Sequence, residues 1–367
     1  MAKRPRVAIV FGGVSHEHAI SCLTAASVVR AIDQDAYEVV GLGITPTGQW
    51  IPYDARAMSQ LQIQGKQLPA VEERTPAGDP GDRTRPNIGE GAALVLPELG
   101  RVDVAFTLLH GPYGEDGTVQ GLFEMLGVRY VGSGVLASAV GMDKHHMKNV
   151  LTAAAIPVGP FVAISPREWE DDRAACLESV QALEFPVFVK PARGGSSLGI
   201  TKVADPAELE RAVEHARHYD PKVLVEQGFV DAREIECGVL ETPDGPRASV
   251  VGEIVMHTES GFYDFESKYL PEETVDLTIP ADLPEAVADE VRSLSVQVFN
   301  TLGCEGLARV DFFLTGDGRV HCNEINTMPG FTALSMFPQL WAASGVDYPE
   351  LVDTLLQQAL ARPVGLR

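Results

Sequence analysis

The chain has 367 residues, 45% hydrophobic and 22% charged, with 51 acidic residues against 29 Lys and Arg and a formal charge of -22. That length exceeds one ordinary core and predicts two or three domains. The acidic balance argues against a nucleic-acid backbone or an anionic membrane as main partner, because both reward clustered cations.

No stretch approaches the roughly 20 apolar residues of a membrane span. The five cysteines are scattered without a Cys-x-x-Cys pair, which fits free thiols in a reducing, cytoplasmic setting. MAKRPRVAIVFGG opens like a signal peptide, but its apolar run is too short and no small-residue cleavage site follows.

In chain order, residues 6 to 11 predict a strand ending in Gly12-Gly13, and Ser15 or its neighbours cap a helix from about Glu17 to Ile32. His16-Glu17-His18 is not a metal triplet, since adjacent helical positions diverge. Glu17 alone is a candidate to hold a polar group, or else a routine complement to the helix dipole. Residues 37 to 44 (YEVVGLGI) predict a second strand, where Gly41-x-Gly43 lacks the third glycine and following helix of a dinucleotide fingerprint. From Tyr53 to Gly91 (53–91) the periodicity disappears into Gly, Pro, Gln and charge, which predicts a long surface insertion or mobile loop. Residues 102 to 110 (VDVAFTLLH) then read as a buried parallel strand. His110-Gly111-Pro112-Tyr113-Gly114-Glu115-Asp116-Gly117-Thr118 follows at its carboxyl end, where open α/β sheets bind ligands. A lone histidine there is more often structural than catalytic.

Beyond Val140 the character changes. Lys144 opens a helix, FVAI and PVFVKP predict strands around a helix at 166 to 183, and Lys190 ends the second strand. Arg193-Gly194-Gly195-Ser196-Ser197-Leu198-Gly199 is no Walker loop, because no Gly-Lys-Ser/Thr begins a helix. A glycine-serine loop between strands can still fold its N–H groups over phosphates; a plain flexible hairpin is the competing reading. A helix at 205 to 217 and the strand KVLVEQ lead to Glu226 and Glu234. In GFYDFESKYL (261 to 270) aromatics interleave with charge, and the acidic composition sets aside a nucleic-acid stacking surface. A long amphipathic helix is predicted at about 284 to 301, and two short helices end the chain.

The most informative stretch is RVDFFLTGDGRVHCNEINTMPGF, residues 309 to 331. Two strand-like runs flank Asp317-Gly318, a strong hairpin signal. With those two residues as the loop, Phe313 faces Cys322, Asp311 faces Glu324 and Arg309 faces Asn326. Carboxylates so paired, with Cβ atoms roughly 5 Å apart, destabilise a sheet unless something positive lies between them. Oxygen donors of this kind suit Mg2+ or Mn2+ shared with a phosphate better than zinc; a solvated polar face is the plainer alternative. Thr327-Met328-Pro329-Gly330-Phe331 can hold backbone N–H groups against a ligand. Arg309 adds a guanidinium suited to a phosphate or an oxyanion.

Asp311, Glu324, Asn326, Pro329 and Gly330 resemble the metal hairpin of the ATP-grasp ligases. Phe11-Gly12-Gly13-x-Ser15-x-Glu17-His18 and the His110 loop resemble the N-terminal signatures of the D-alanine:D-alanine ligases. The resemblance spans nearly all of the chain outside 53–91. It implies an α/β, three-domain ATP-grasp architecture: an N-terminal open parallel α/β substrate domain (1–139), a central lid domain (140–229) and a C-terminal catalytic domain (230–367). It implies ATP as a substrate, two Mg2+ or Mn2+ on Asp311, Glu324 and Asn326, and ligation of two D-alanines through a D-alanyl phosphate, supplying peptidoglycan precursor synthesis.

By the same resemblance Lys144, Lys190, Ser197, Glu226, Glu234 and Lys268 bind ATP. Glu226 lies in the adenine hinge, beside an extra residue near Gln227-Gly228, and Glu234 takes the ribose hydroxyls. Glu17 pairs with the ammonium of the first D-alanine near His110, and Ser196 and Tyr269 link Glu17 to an omega-shaped lid. Arg309 and the Gly330 N–H stabilise the tetrahedral oxyanion, while Ser335 and Met336 hold the second D-alanine. Tyr269 favours a dipeptide over D-alanyl-D-lactate, and Phe265 stands where some members have Tyr. A cytoplasmic homodimer without nucleic acid or membrane insertion is the family expectation. Another ATP-grasp carboxylate-amine ligase and a silent nucleotide-binding regulator are the alternatives, the second weakened by Asp311, Glu324, Asn326 and Arg309 occurring together.

Overall fold

The computed structural model describes residues 4–63, 65, 67–72, 101–256 and 275–365, which form three sheets. The first contains β1 (Arg6–Gly12), β2 (Glu38–Ile44), β3 (Trp50–Asp54), β4 (Val104–Thr107) and β5 (Arg129–Tyr130) in the order β3-β2-β1-β4-β5. All neighbours are parallel except β3, which returns antiparallel to β2. β1 is an unbroken apolar run because it is covered on both faces: Val7, Ile9 and Phe11 enter one core and Val10 another.

Three expectations shift here. The first helix runs His18–Ala31 with Glu17 at its N-cap, so Glu17 precedes the first turn; the Ser15 hydroxyl accepts the Glu17 N–H at 3.3 Å. The run from Tyr53 begins with structure: Asp54 ends β3 and caps a short helix, Ala55–Ser59, through the Ala57 N–H at 2.7 Å. Farther on, the buried Val71 donates its N–H to His18 Nε2 at 3.0 Å, while 73–100 lies outside the described residues. The strand expected over 102 to 110 leaves the ladder after Thr107, although Leu108 to His110 stay buried. Gly41 and Gly43 serve packing: a Cβ on Gly41 would stand 2.4 Å from the Met58 sulfur.

The second sheet is antiparallel and contains β6 (Phe161–Ile164), β7 (Val187–Pro191), β8 (Thr201–Val203) and β9 (Val223–Gln227), ordered β6-β9-β7-β8. The helix expected at 166 to 183 is two, Pro166–Asp171 and Arg173–Val180. Asp172 breaks it, because its side chain accepts the Ala175 N–H at 2.9 Å and starts the second helix.

The third sheet is also antiparallel: β10 (Arg233–Leu240), β11 (Arg247–Met256), β12 (Val275–Thr278), β13 (Leu307–Leu314) and β14 (Val320–Asn326), ordered β12-β11-β10-β13-β14. Alternation divides its faces. Ile235, Cys237, Val239, Val310 and Phe312 share a core with helix Glu285–Leu302. Glu234, Glu236, Arg309, Asp311, Glu324 and Asn326 take the opposite parity. Helix Met336–Ala343 covers part of that second face at two glycines: a Cβ on Gly238 would stand 2.9 Å from Trp341 Nε1, and one on Gly252 equally close to Leu340.

The hairpin register differs from the expectation near its turn. Arg309 faces Asn326 and Asp311 faces Glu324 as expected, but Phe312, not Phe313, faces Cys322. The loop has three residues, closed by Thr315 N to Arg319 O at 3.0 Å, with Gly318 at φ +83°. A bulge on β14 between Cys322 and Glu324 compensates. Burial gives the reason: Val320, Cys322 and Ile325 all face inward, and a spacing of two then three requires one extra residue on the outer face.

Phe331 joins the N-terminal and C-terminal parts. Fully buried, it meets Phe106 edge-on at 5.7 Å between centroids, and its carbonyl accepts the Tyr348 hydroxyl at 2.7 Å. Phe331→Ala should lower the unfolding free energy in urea by about 3–5 kcal/mol, and Phe331→Leu by less than half as much.

Candidate functional site

The outer face of the third sheet carries its charges in a cross-strand row, because Glu236 faces Asp311 and Asp311 faces Glu324. Protein cations answer them. Arg309 forks onto Asp311 through Nε and one Nη, both at 2.7 Å, and its Nε lies 2.9 Å from Glu236. Lys144 Nζ stands 2.9 Å from Glu324, and Asn326 donates its amide to Asp311 at 2.9 Å. Burial would pull Arg309 down, but Asp311 and Glu236 hold it well above its usual value. Asp311, Glu324 and Asn326 thus offer hard oxygen ligands on one face, a donor set that fits a divalent cation.

Lys144 joins this row to the glycine-serine loop. Its ammonium also donates to the Gly194 carbonyl at 3.0 Å, and its backbone N–H bonds Ala192 O at 2.9 Å. Burial alone would lower Lys144, yet Glu324 raises it. Arg193 pins the loop's base to Asp220 through two side-chain bonds of 2.9 and 2.7 Å. At its tip Ser196 and Ser197 have φ +50° and +60°, a left-handed conformation that non-glycine residues keep only where the surrounding structure over-determines the backbone. The Ser196 hydroxyl donates to Glu17 Oε1.

Behind the loop, Glu226 on β9 binds two lysines, Lys190 and, at 2.6 Å, Lys148. Burial would raise the Glu226 carboxyl, but the two ammonium groups bring it down to about 2. Burial in turn lowers Lys190 against the pull of Glu226. Sequence reasoning missed Lys148, which is only 2% exposed. It stands four residues after Lys144 on helix Lys144–Ala153, so one helix face presents both, and that spacing was the available signal.

The N-terminal loops arrive from the other side. A Cβ on Gly111 or Gly195 would stand 3.4 Å from Glu17 Oε2, so this carboxylate sits between the His110 loop and the glycine-serine loop. His110 Nδ1 donates to the Met328 carbonyl at 3.1 Å; burial lowers this imidazole and keeps it neutral. Glu115, also missed, accepts the Gly111 N–H at 2.6 Å and a hydrogen bond from the Met328 backbone. Met328, just before Pro329-Gly330, is therefore held on both its backbone groups by the His110 loop. Burial first, then the charges of Glu17 and Glu324, push the Glu115 carboxyl up to about 8.

Ser335 lies against the same turn. A Cβ on Gly330 would stand 3.3 Å from its hydroxyl, which accepts the Thr332 N–H at 3.1 Å. Met336 turns its side chain under β11, close to Gly252, so its backbone is what remains available to the turn. Glu234 lies on β10 opposite Phe313. Lys268, Tyr269 and the rest of the expected lid fall outside the described residues. A separate trio, Asp143, His145 and His146, brings possible metal-ligating atoms within 4.8 Å, but Lys222 occupies both Asp143 oxygens at 2.8 and 2.9 Å.

An open, mostly parallel N-terminal sheet and two antiparallel sheets, with carboxylates, lysines and a glycine-serine loop brought together, define an ATP-grasp fold. The family models described as D-ala D-ala ligase N-terminus and C-terminus match residues 6–133 and 150–357. A D-alanine--D-alanine ligase of Streptomyces griseus is 51% identical, covering 100% of this chain and 95% of its own length. One of Kineococcus radiotolerans is 53% identical over 99% of both. Among solved structures, the D-alanine-D-alanine ligase of Coxiella burnetii superposes with a TM-score of 0.77 at 31% identity, covering 98% of this chain and 94% of that one. The VanG D-Ala:D-Ser ligase of Enterococcus faecalis gives 0.79 at 31%, covering 97% and 100%. The chain belongs to the D-alanine--D-alanine ligase family.

Glu115 makes a pH prediction. Its folded value, about 8, lies above the 4.5 of an ordinary glutamate, so the fold keeps a proton that the unfolded chain has lost. Its contribution to stability is present below the lower value and declines as pH rises through the higher one. Glu115→Gln should flatten that decline in unfolding free energy measured by urea titration across the same window.

Proposed function

We propose that this chain joins two D-alanines into D-alanyl-D-alanine at the expense of ATP, supplying peptidoglycan precursor synthesis. The observation that carries the reading is convergence: Glu17 and His110 from the N-terminal sheet, Ser196 and Lys144 at the glycine-serine loop, and the Arg309–Asn326 hairpin meet in one cleft around Met328. Oxygen of the first D-alanine's carboxylate attacks the terminal phosphate and releases ADP. The amine of the second then attacks the acyl carbon and inorganic phosphate leaves.

Each group has a task. Glu17 takes the first ammonium beside neutral His110. Lys144 and Lys190 steady the phosphates, with Ser197 in the covering loop; the hinge at Glu226 receives adenine and Glu234 the ribose. Asp311, Glu324 and Asn326 would hold two Mg2+ or Mn2+, which when bound offset phosphate charge. Arg309 and the Gly330 N–H meet the oxyanion of the tetrahedral intermediate. Ser335 and the Met336 backbone hold the second carboxylate, and a lid bearing Lys268 and Tyr269 keeps water from the acyl phosphate. We place the enzyme in the cytoplasm as a homodimer, the arrangement expected of this family.

Purified protein with Mg2+ and ATP should release ADP with D-alanine and form the dipeptide by mass, and do neither with L-alanine. No ADP release from protein that binds ATP would instead favour a silent nucleotide-binding regulator. Lys148→Met removes one of two cations from a buried carboxylate and should raise KM for ATP about tenfold or more in steady-state ADP release. Tyr269→Phe should raise D-lactate ester formation relative to dipeptide at matched acceptor concentrations; an unchanged product ratio would count against Tyr269 as the selector.

A further inference from the structure

Glu236 has no part in the roles assigned so far, yet it is a carboxylate 5% exposed at the centre of the charged face. It occupies β10 directly opposite Asp311, with Arg309 diagonal to it on β13, where Arg309 itself faces Gly238. The glycine matters, because Gly238 lies beneath Trp341 and Phe337 and leaves Glu236 as the β10 side chain beside the guanidinium. Arg309 Nε carries one hydrogen and gives it to Asp311 at 2.7 Å, while Glu236 lies 2.9 Å from the same nitrogen. The attraction to Glu236 is therefore Coulombic in this state, and strong in so buried a place.

Asp311 has two claims on it: the Arg309 fork, and the cation-binding role proposed above. A guanidinium tied to Asp311 alone would follow that carboxylate wherever it turned. A second buried carboxylate on the neighbouring strand lets Arg309 keep its place while Asp311 changes partner. We infer that Glu236 is a positioning residue that anchors Arg309 independently of Asp311, so that the guanidinium stays directed at the reacting acyl group. This rests on the oxyanion role proposed for Arg309. No bond to substrate is assigned to Glu236.

The test is a double-mutant cycle with ATP affinity measured directly by calorimetry. Glu236→Gln keeps the shape and should lower kcat about tenfold with ATP affinity within about twofold of wild type, since the loss acts through one displaced donor. In an Arg309→Ala background the same substitution should change kcat less than about twofold, because residues acting through one group are not additive. Glu236→Asp, which keeps the charge, should recover at least half of the lost activity on a logarithmic scale, and it serves as the readout if Glu236→Gln fails to fold. Equal losses in both backgrounds, wild-type kcat in Glu236→Gln and Glu236→Asp, or a loss appearing in ATP affinity alone would overturn the inference. Wild-type kcat in Arg309→Ala would overturn the oxyanion reading and this inference with it.

Discussion

The repulsion between Asp311 and Glu324 is the constraint around which the structure is arranged. Register places them opposite one another on adjacent strands, and β10 adds Glu236 to the same row. Three carboxylates so aligned are tolerated only with cations between them. Arg309 supplies one from the same strand, and Lys144 supplies the other from a helix of the central region. Because Lys144 also holds the Gly194 carbonyl, the charge balance of the hairpin fixes the base of the loop expected to cover phosphates.

A second buried balance sits behind the first. Glu226 takes Lys148 and Lys190, so one buried carboxylate gathers two ammonium groups behind the glycine-serine loop. The N-terminal part contributes hydrogen bonds more than charge: His110 and Glu115 hold both backbone groups of Met328, and Glu17 meets Ser196. Three parts of the chain thus meet around Met328 through fixed hydrogen bonds and ion pairs.

Much of this was legible in the sequence, and the failures are instructive. The pairs Arg309–Asn326 and Asp311–Glu324 followed from counting outward from an Asp-Gly turn, though the turn has one more loop residue and a bulge restores the count. The inward spacing of Val320, Cys322 and Ile325 contains that bulge, which a uniform alternation overlooks. Residues 53 to 72 are featureless by composition, which hides the local cap by which Asp54 starts a helix. Lys148, Glu115 and Glu236 were missed for a different reason. Each owes its place to a partner distant in the chain, such as Glu226 for Lys148 and Met328 for Glu115; the four-residue spacing sets Lys148 on one face with Lys144 but does not say what that face meets.

In the proposed reaction a carboxylate oxygen passes to phosphorus and the acyl carbon is then transferred to an amine. The most direct measurement starts with D-alanine labelled with 18O in its carboxylate and follows the label by mass after turnover with ATP. An acyl phosphate route puts one labelled oxygen into inorganic phosphate for each dipeptide formed, because the oxygen that attacks phosphorus departs with it. Dipeptide formed with unlabelled phosphate would contradict the acyl phosphate route and the assignment of the cleft built on it.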